Sequence, residues 1–418
     1  MWKTEDLMQL IKMVANNDKV FWNVLLSSIV VWAILFVVNP SGGQSRVFFS
    51  GSGMMSDYLY PRLCAEIVPY YGGVSNAVEF AELKVGNGWK DDRLVPIMRM
   101  MGRSEWKDGF PDRLETYDCC YPPICMAFVS LFPVSHVGSI ACTLLGATLF
   151  VVALLTFARA PAILLSVFLS APMLFGLARG QLVFYSAAGA VVFLAWWDSE
   201  SRAKRLVAAI ALAFAVAFKL TPAIFGVLYL TRGRWWRKPE PWLAAIVALI
   251  LLFTPFFFYG GEGAFFRWLA NASENRETYT RCGRWGLLAV ERTLRIALGL
   301  DVHSQWPEMG LVRMLDVVLG LLCLWRGWQL SSAFLIAAAM LMLPGNMMFY
   351  TGIYMIPALL ADGDFNSWRH RKSAMLLSFM LLTPLQVPPF GISHTLADCA
   401  FLGLVLLRDR GRTNDGML

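Results

Sequence analysis

The sequence predicts an all-α, polytopic membrane protein. Only 16% of the 418 residues are charged, where a soluble globular chain carries about 25%. Hydrophobic residues make up 57%. They fall in long runs that recur from Val20 to Leu407, and a run of about 20 apolar residues is what a helix needs to cross the hydrocarbon of a bilayer.

Taken in order, Val20–Val38 is long enough to span. It follows a polar stretch of mixed charge and lacks a small-x-small cleavage site, so it reads as an anchor and not as a removed signal. Residues 162–197 are too long for one crossing, since one helix there would reach about 54 Å against a core of about 30 Å. They break at Ala178-Arg179-Gly180-Gln181. Residues 331–361 break in the same way at Pro344-Gly345-Asn346. The run 206–230 could span once, but SRAKR at 201–205 precedes it and RGRWWRK at 232–238 follows it. A hairpin turning at Lys219–Pro222 keeps both basic clusters on the cytoplasmic side, as the positive-inside bias prefers.

The resulting layout has about twelve spans with both termini inside: 20–38, 137–157, 162–178, 181–197, 204–218, 221–236, 241–259, 309–326, 331–345, 347–361, 374–387 and 393–407. The whole chain 1–418 forms one integral membrane domain with two long outer loops, 39–136 and 260–308. Apolar residues recur in both loops at helical spacing, which predicts amphipathic helices at the membrane surface. The net charge of +7 reflects the cytoplasmic loops. No aromatic-interleaved basic domain and no zinc spacing appears, so nucleic acid is not an expected partner, whereas membrane lipid is. Of the eight cysteines, Cys64 could bridge to Cys119 or Cys120 in an oxidising compartment; free thiols are the competing reading.

In this layout the unusual polar residues fall on the outer side: Asp57 in SDYLYPR, the Tyr121-Pro122-Pro123 segment, and the turns at Arg179–Gln181, Lys219–Pro222 and Asn346–Tyr350. Lys219 stands out in FKLTPAIF, because a cation at the bilayer centre costs about 2.5–3.5 kcal/mol. Thr221 is a natural N-cap and Pro222 suits a first helical turn. A helix starting there would aim unpaired N–H groups outward beside Lys219, with Arg179 as a second cation, and a phosphate ester would suit such a place. The plainer alternative is that Lys219 snorkels to headgroups. Asp57 reads either as an N-cap or as a carboxylate able to take a proton from a hydroxyl; Asp91, Asp92, Asp108, Asp112 and Asp118 compete for that second role. Arg313 and Asp316, one turn apart, are expected to pair within their span.

The ordered set of Asp57 after the first span, YPP at 121–123, RGQ at 179–181 and FKLTPAIF at 218–225 resembles the family-87 glycosyltransferases, integral membrane enzymes of the GT-C type. The resemblance covers roughly residues 20–390; the K-x-T-P-x-x-F pattern is its most specific part. It implies a GT-C fold at the plasma (inner) membrane and transfer of a sugar, typically mannose, from a polyprenyl-phosphate donor to an acceptor on the outer, periplasmic face. Asp57 then matches the first-loop carboxylate that acts as general base. Lys219, Arg179, Gln181 and Thr221 are implied to hold the donor phosphate, and Tyr58, Tyr121, Asn346 and Tyr350 to line the cavity and meet the acceptor. No metal or other cofactor is expected, since the phosphate monoester is a good leaving group. A glycolipid or glycan acceptor is expected, with protein as the remaining alternative. Where many members carry a histidine in a pattern like S-W-x-H-H, this chain reads PGNMMFYTGIYMIP, so Tyr350 or another group takes that place. A lipid-linked-sugar transporter is the rival reading; it would need midplane charges, broken helices and repeat symmetry, whereas the irregular turns here favour one face.

Overall fold

The computed structural model describes residues 58, 61–62, 121–133, 136–157, 172–173, 176–177, 180–231, 233–259, 265–266, 268–269, 287, 291, 308–343 and 349–362. Among them all regular structure is helical. The first span, the last two, and the expected Cys64 bridge to Cys119 or Cys120 lie outside the described residues, as do Asp57, Arg179 and Asn346. The chain divides into two compact units, one made of Arg46–Ala153 with Phe175–Cys282, the other of Met1–Ser45, Leu154–Leu174 and Gly283–Leu418.

The Arg46–Ala153/Phe175–Cys282 unit holds α1 (Pro123–Val129), nearly all of α2 (His136–Leu154), α3 (Val183–Trp196), α4 (Arg202–Phe218), α5 (Val227–Leu230) and α6 (Pro239–Tyr259). YPP starts α1 because Pro123 takes the first helical position, where a missing N–H leaves nothing unpaired. On α2 the buried face carries Ser139, Cys142, Thr143, Ala147 and Phe150, while Val137, Ile140, Leu144, Leu145, Leu149 and Val152 are exposed. The outward face is thus the more apolar, the reverse of a helix at a water-facing surface. Segments 137–157 and 239–257 are long and apolar enough to cross a bilayer.

Helices α3 and α4 form a close antiparallel pair. Gly189 permits it, since a Cβ there would stand 2.5 Å from the Ala211 carbonyl oxygen. Ser186 Oγ donates to the Ala215 carbonyl at 2.8 Å, and small residues in such a seam let membrane helices meet backbone to backbone. Ser201 caps α4, and α4 packs on α6 as well as on α3.

Beyond α4 the chain reverses. Ser186, near the start of α3, lies level with Ala215, whereas Phe193, about 10 Å further along α3, meets the Tyr229 ring at 5.4 Å. Residues 219–229 therefore run back along the pair, and the turn falls at Lys219-Leu220, where charge parity put it. The return arm differs from the expected helix over 221–236. It is a 3-10 helix at Thr221–Gly226, four α residues in α5, and a second 3-10 turn at Trp235–Arg237.

The second unit contains α7 (Glu308–Leu330), α8 (Ala333–Met342), a 3-10 turn at Phe349–Tyr354 and α9 (Met355–Ala361). All ten residues of α8 are buried. Asp362 closes the start of α8, accepting from Ser332 Oγ at 2.6 Å, Ala333 N at 2.7 Å and Phe334 N at 3.2 Å. Arg313 and Asp316 both reach beyond α7. Arg313 donates to the Met342 carbonyl at 2.7 Å and to that of Leu343, satisfying the open end of α8; Asp316 accepts from the Leu287 N–H at 2.6 Å.

Candidate functional site

Four of the sequence motifs meet around Phe218, the last residue of α4. Its ring lies 5.4 Å from that of Tyr185 in a stacked arrangement and 5.3 Å from that of Phe128, edge-on. Phe128 and Tyr185 close the triangle at 4.7 Å. The Phe218 carbonyl accepts from the Cys125 thiol at 3.4 Å. Cys125 and Phe128 belong to α1, the helix that YPP starts, and Tyr185 stands one turn after Gln181 of RGQ. The end of α4 is thereby held from two sides, which sets the position of Lys219.

The fourth segment arrives through Tyr58, the neighbour of Asp57. Tyr58 is fully buried, and its hydroxyl is 3.4 Å from the Pro133 carbonyl. Burial, reinforced by nearby Cys142, pushes the Tyr58 phenol up to about 12, against the pull of a hydrogen bond from the Arg62 guanidinium. Cys142 links this corner to the aromatic triangle, because its carbonyl accepts from Tyr185 Oη at 2.5 Å. Arg62 is itself buried, at 6% exposure.

RGQ ends a helical turn. Gly180, at φ 69°, occupies the left-handed position. Its N–H reaches the Leu177 carbonyl at 3.3 Å and the Gln181 N–H reaches that of Gly176 at 2.9 Å. This paired bonding is the Schellman arrangement, and it explains why a glycine is needed there. Gln181 is buried, at 2% exposure.

At FKLTP the structure corrects one expectation. Thr221 is not an N-cap: Leu220 holds that position, and no side chain caps the 3-10 helix. The element beyond is too irregular to present the end of a long dipole. Lys219 is the C-cap of α4, extended at φ −155° and ψ 122°, with its N–H on the Ala215 carbonyl at 3.0 Å. A cation suits that negative helix end, so whatever attracts an anion here is the lysine charge. Thr221 Oγ1 is buried and has no hydrogen-bond partner among the described residues, a state that costs about 1–3 kcal/mol until something bonds it.

Tyr121 is half-buried just before α1. The Tyr350 backbone lies in the 3-10 turn of the other unit. Among the described residues no group of three His, Cys, Asp or Glu side chains could hold a metal ion. Residues that sequence reasoning passed over are Arg62, Cys125, Phe128 and Tyr185. Arg62 and Tyr185 lie at i+4 from Tyr58 and Gln181, a spacing that places side chains on one helix face, so extending each motif by one turn would have found them.

The family model described as glycosyltransferase family 87 matches residues 120–349, more than half of the chain, and includes YPP, RGQ and FKLTP. No curated protein and no solved structure matches. With the matched segment carrying three of the four motifs that meet at Phe218, this membrane protein belongs to glycosyltransferase family 87.

Proposed function

We propose that the protein transfers a hexose, mannose in the first instance, from a polyprenyl-phosphate donor to an acceptor hydroxyl of a glycolipid or glycan on the outer face of the membrane. The observation that carries this reading is the convergence of Tyr58 and of the YPP, RGQ and FKLTP segments on the end of α4. A family fixes a reaction class only coarsely; the polyprenyl-phosphate sugar donor is what the resemblance to the family implies, and the cation at Lys219 is the local feature that suits its phosphate.

Asp57 takes the proton of the acceptor hydroxyl as its oxygen bonds to the anomeric carbon. The bond from that carbon to the phosphate oxygen breaks in the same displacement, so configuration inverts and the polyprenyl phosphate leaves with its electron pair. Lys219 offsets the charge that develops on the phosphate, with Arg179, Gln181 and the Thr221 hydroxyl as further donors. Tyr121, on the same unit as Lys219, is assigned to the acceptor. The buried Thr221 hydroxyl, with no hydrogen-bond partner among the described residues, supports a bound group near Lys219.

The test is transfer from radiolabelled polyprenyl-phosphate mannose by the purified protein with a membrane-lipid extract as acceptor. Labelled product from the wild type, lost in Asp57→Asn with donor binding retained, is the expected result. Full transfer by Asp57→Asn would remove Asp57 as base. A wild type that moves intact donor across vesicles and releases no sugar would establish the transporter instead.

A further inference from the structure

At the opposite end of α4 lies a corner of different character. Arg205 Nε bonds Glu240 Oε1 at 2.7 Å, and its Nη1 bonds the carbonyls of Ser199 and Glu200 at 3.0 and 2.9 Å. These bonds tie the start of α4, the loop before it and the start of α6 into one surface. Glu240 is thereby neutralised.

Arg202, Lys204, Arg234, Arg237 and Lys238 lie on this surface, and none has an ion-pair partner among the described residues. Asp198 and Glu200 are the other acids of the same corner, so cations outnumber carboxylates there. The first turn of α4 is also where its dipole disfavours added positive charge, so the corner holds an uncompensated positive potential. Arg234 keeps a left-handed backbone at φ 53°, a conformation unfavourable for a residue with a side chain.

Tryptophans frame the cations. The Trp235 ring lies 6.1 Å from those of Trp236 and Trp242, and Trp242 Nε1 donates to the Trp236 carbonyl at 2.9 Å. Lys204 Nζ sits 5.8 Å from the Trp196 ring centre. Trp242 also heads an exposed apolar stripe on α6 formed by Ile246, Leu249, Ile250, Phe253 and Phe257. A partner that fits both features has a hydrocarbon tail for the stripe and an anionic head for the cations, with indole rings at the boundary between them.

We propose that this corner binds anionic phospholipid, its headgroup on Arg234, Arg237 and Lys238 and its acyl chains along α6. The inference is independent of the transferase reading, since it concerns the other end of α4.

The experiment is native mass spectrometry of the full chain in neutral detergent, titrated with phosphatidylglycerol or phosphatidylcholine, alongside thermal unfolding of the same samples. Wild type should retain phosphatidylglycerol at least fivefold better than phosphatidylcholine and gain stability from it. The Arg234→Ala/Arg237→Ala/Lys238→Ala variant should lose that preference. If the variant does not fold, wild type alone still decides: 1 M salt, which screens charges beyond about 3 Å, should abolish the preference in the unfolding assay. Equal retention of both lipids, an unchanged preference in the variant or in salt, or displacement by millimolar inorganic phosphate would each overturn the proposal.

Discussion

The two ends of α4 carry the same kind of residue and treat it in opposite ways. At the Arg205 end, Ser201 caps the helix, Glu240 neutralises the guanidinium and two carbonyls accept from its Nη1. The charges there are met within the protein itself, by the Arg205–Glu240 ion pair. At the Lys219 end the chain leaves the helix in extended form, continues as a six-residue 3-10 helix and buries a Thr221 hydroxyl with no hydrogen-bond partner among the described residues. The apolar support is nevertheless dense there, with Phe128, Tyr185 and the Cys125 thiol all on Phe218. Firm packing beneath incomplete hydrogen bonding is the arrangement of a site prepared for a ligand. The ion-paired end serves stability.

If that contrast is correct, substitutions at the Lys219 end should change activity and leave the fold intact. The largest effect is expected at Asp57, beside buried Tyr58. General base catalysis contributes about 10²–10⁴-fold, so Asp57→Asn should lower kcat by that range while donor binding persists. Lys219→Gln comes next, with a loss of about 10²-fold in transfer; Lys219→Arg should recover part of it. Unfolding midpoints of both variants should match wild type. A transfer rate that fell only in proportion to lost folded protein would assign Lys219 to the helix end alone.

The hairpin at Lys219 was legible because charge obeys a simple rule: two basic clusters that both belong inside force the chain between them to return. The helices α2, α3, α4 and α6 were legible from their apolar runs, and segments of two of them, 137–157 and 239–257, are long and apolar enough to cross a bilayer. The return arm was not. Thr-Pro at 221–222 is compatible with an α-helical start and with a 3-10 turn, and tertiary contacts such as Phe193 with Tyr229 decide between them. Arg313 and Asp316 were hidden for a related reason. Their spacing suggests a partner on the same helix and says nothing of the bond from Arg313 to the open end of α8 or of the Leu287 N–H on Asp316, contacts that no local pattern encodes. At the site itself, the motif residues could be named from sequence. The aromatic triangle that gathers them could not, since Phe128, Tyr185 and Phe218 are ordinary residues in apolar runs.

The converse is expected at the Arg205 end. Glu240→Ala strands a guanidinium that is 23% exposed on the buried side of the corner. Losing one partner of a well-buried pair costs about 3–5 kcal/mol. Partial access to water reduces that, so about 1–3 kcal/mol is expected here. The unfolding midpoint in detergent should drop by several degrees, and transfer per folded molecule should stay at the wild-type level. A Glu240→Ala protein with normal stability and impaired transfer would reverse the assignment of the two ends.

The smallest effect is the sharpest discriminator. Thr221→Val keeps the shape of the side chain and removes only the hydroxyl, which has no hydrogen-bond partner among the described residues. If that hydroxyl serves the fold alone, an apolar isostere should be neutral or stabilising by up to about 1 kcal/mol, because an unbonded buried dipole is gone. If it donates to the donor phosphate, one neutral hydrogen bond of about 1 kcal/mol is lost from the complex. The KM for donor should then rise about fivefold while kcat holds. Binding and stability thus move in opposite directions, an outcome that general damage to the Lys219 turn cannot produce. Unchanged KM with raised stability would leave Lys219 and its neighbours to hold the phosphate without Thr221.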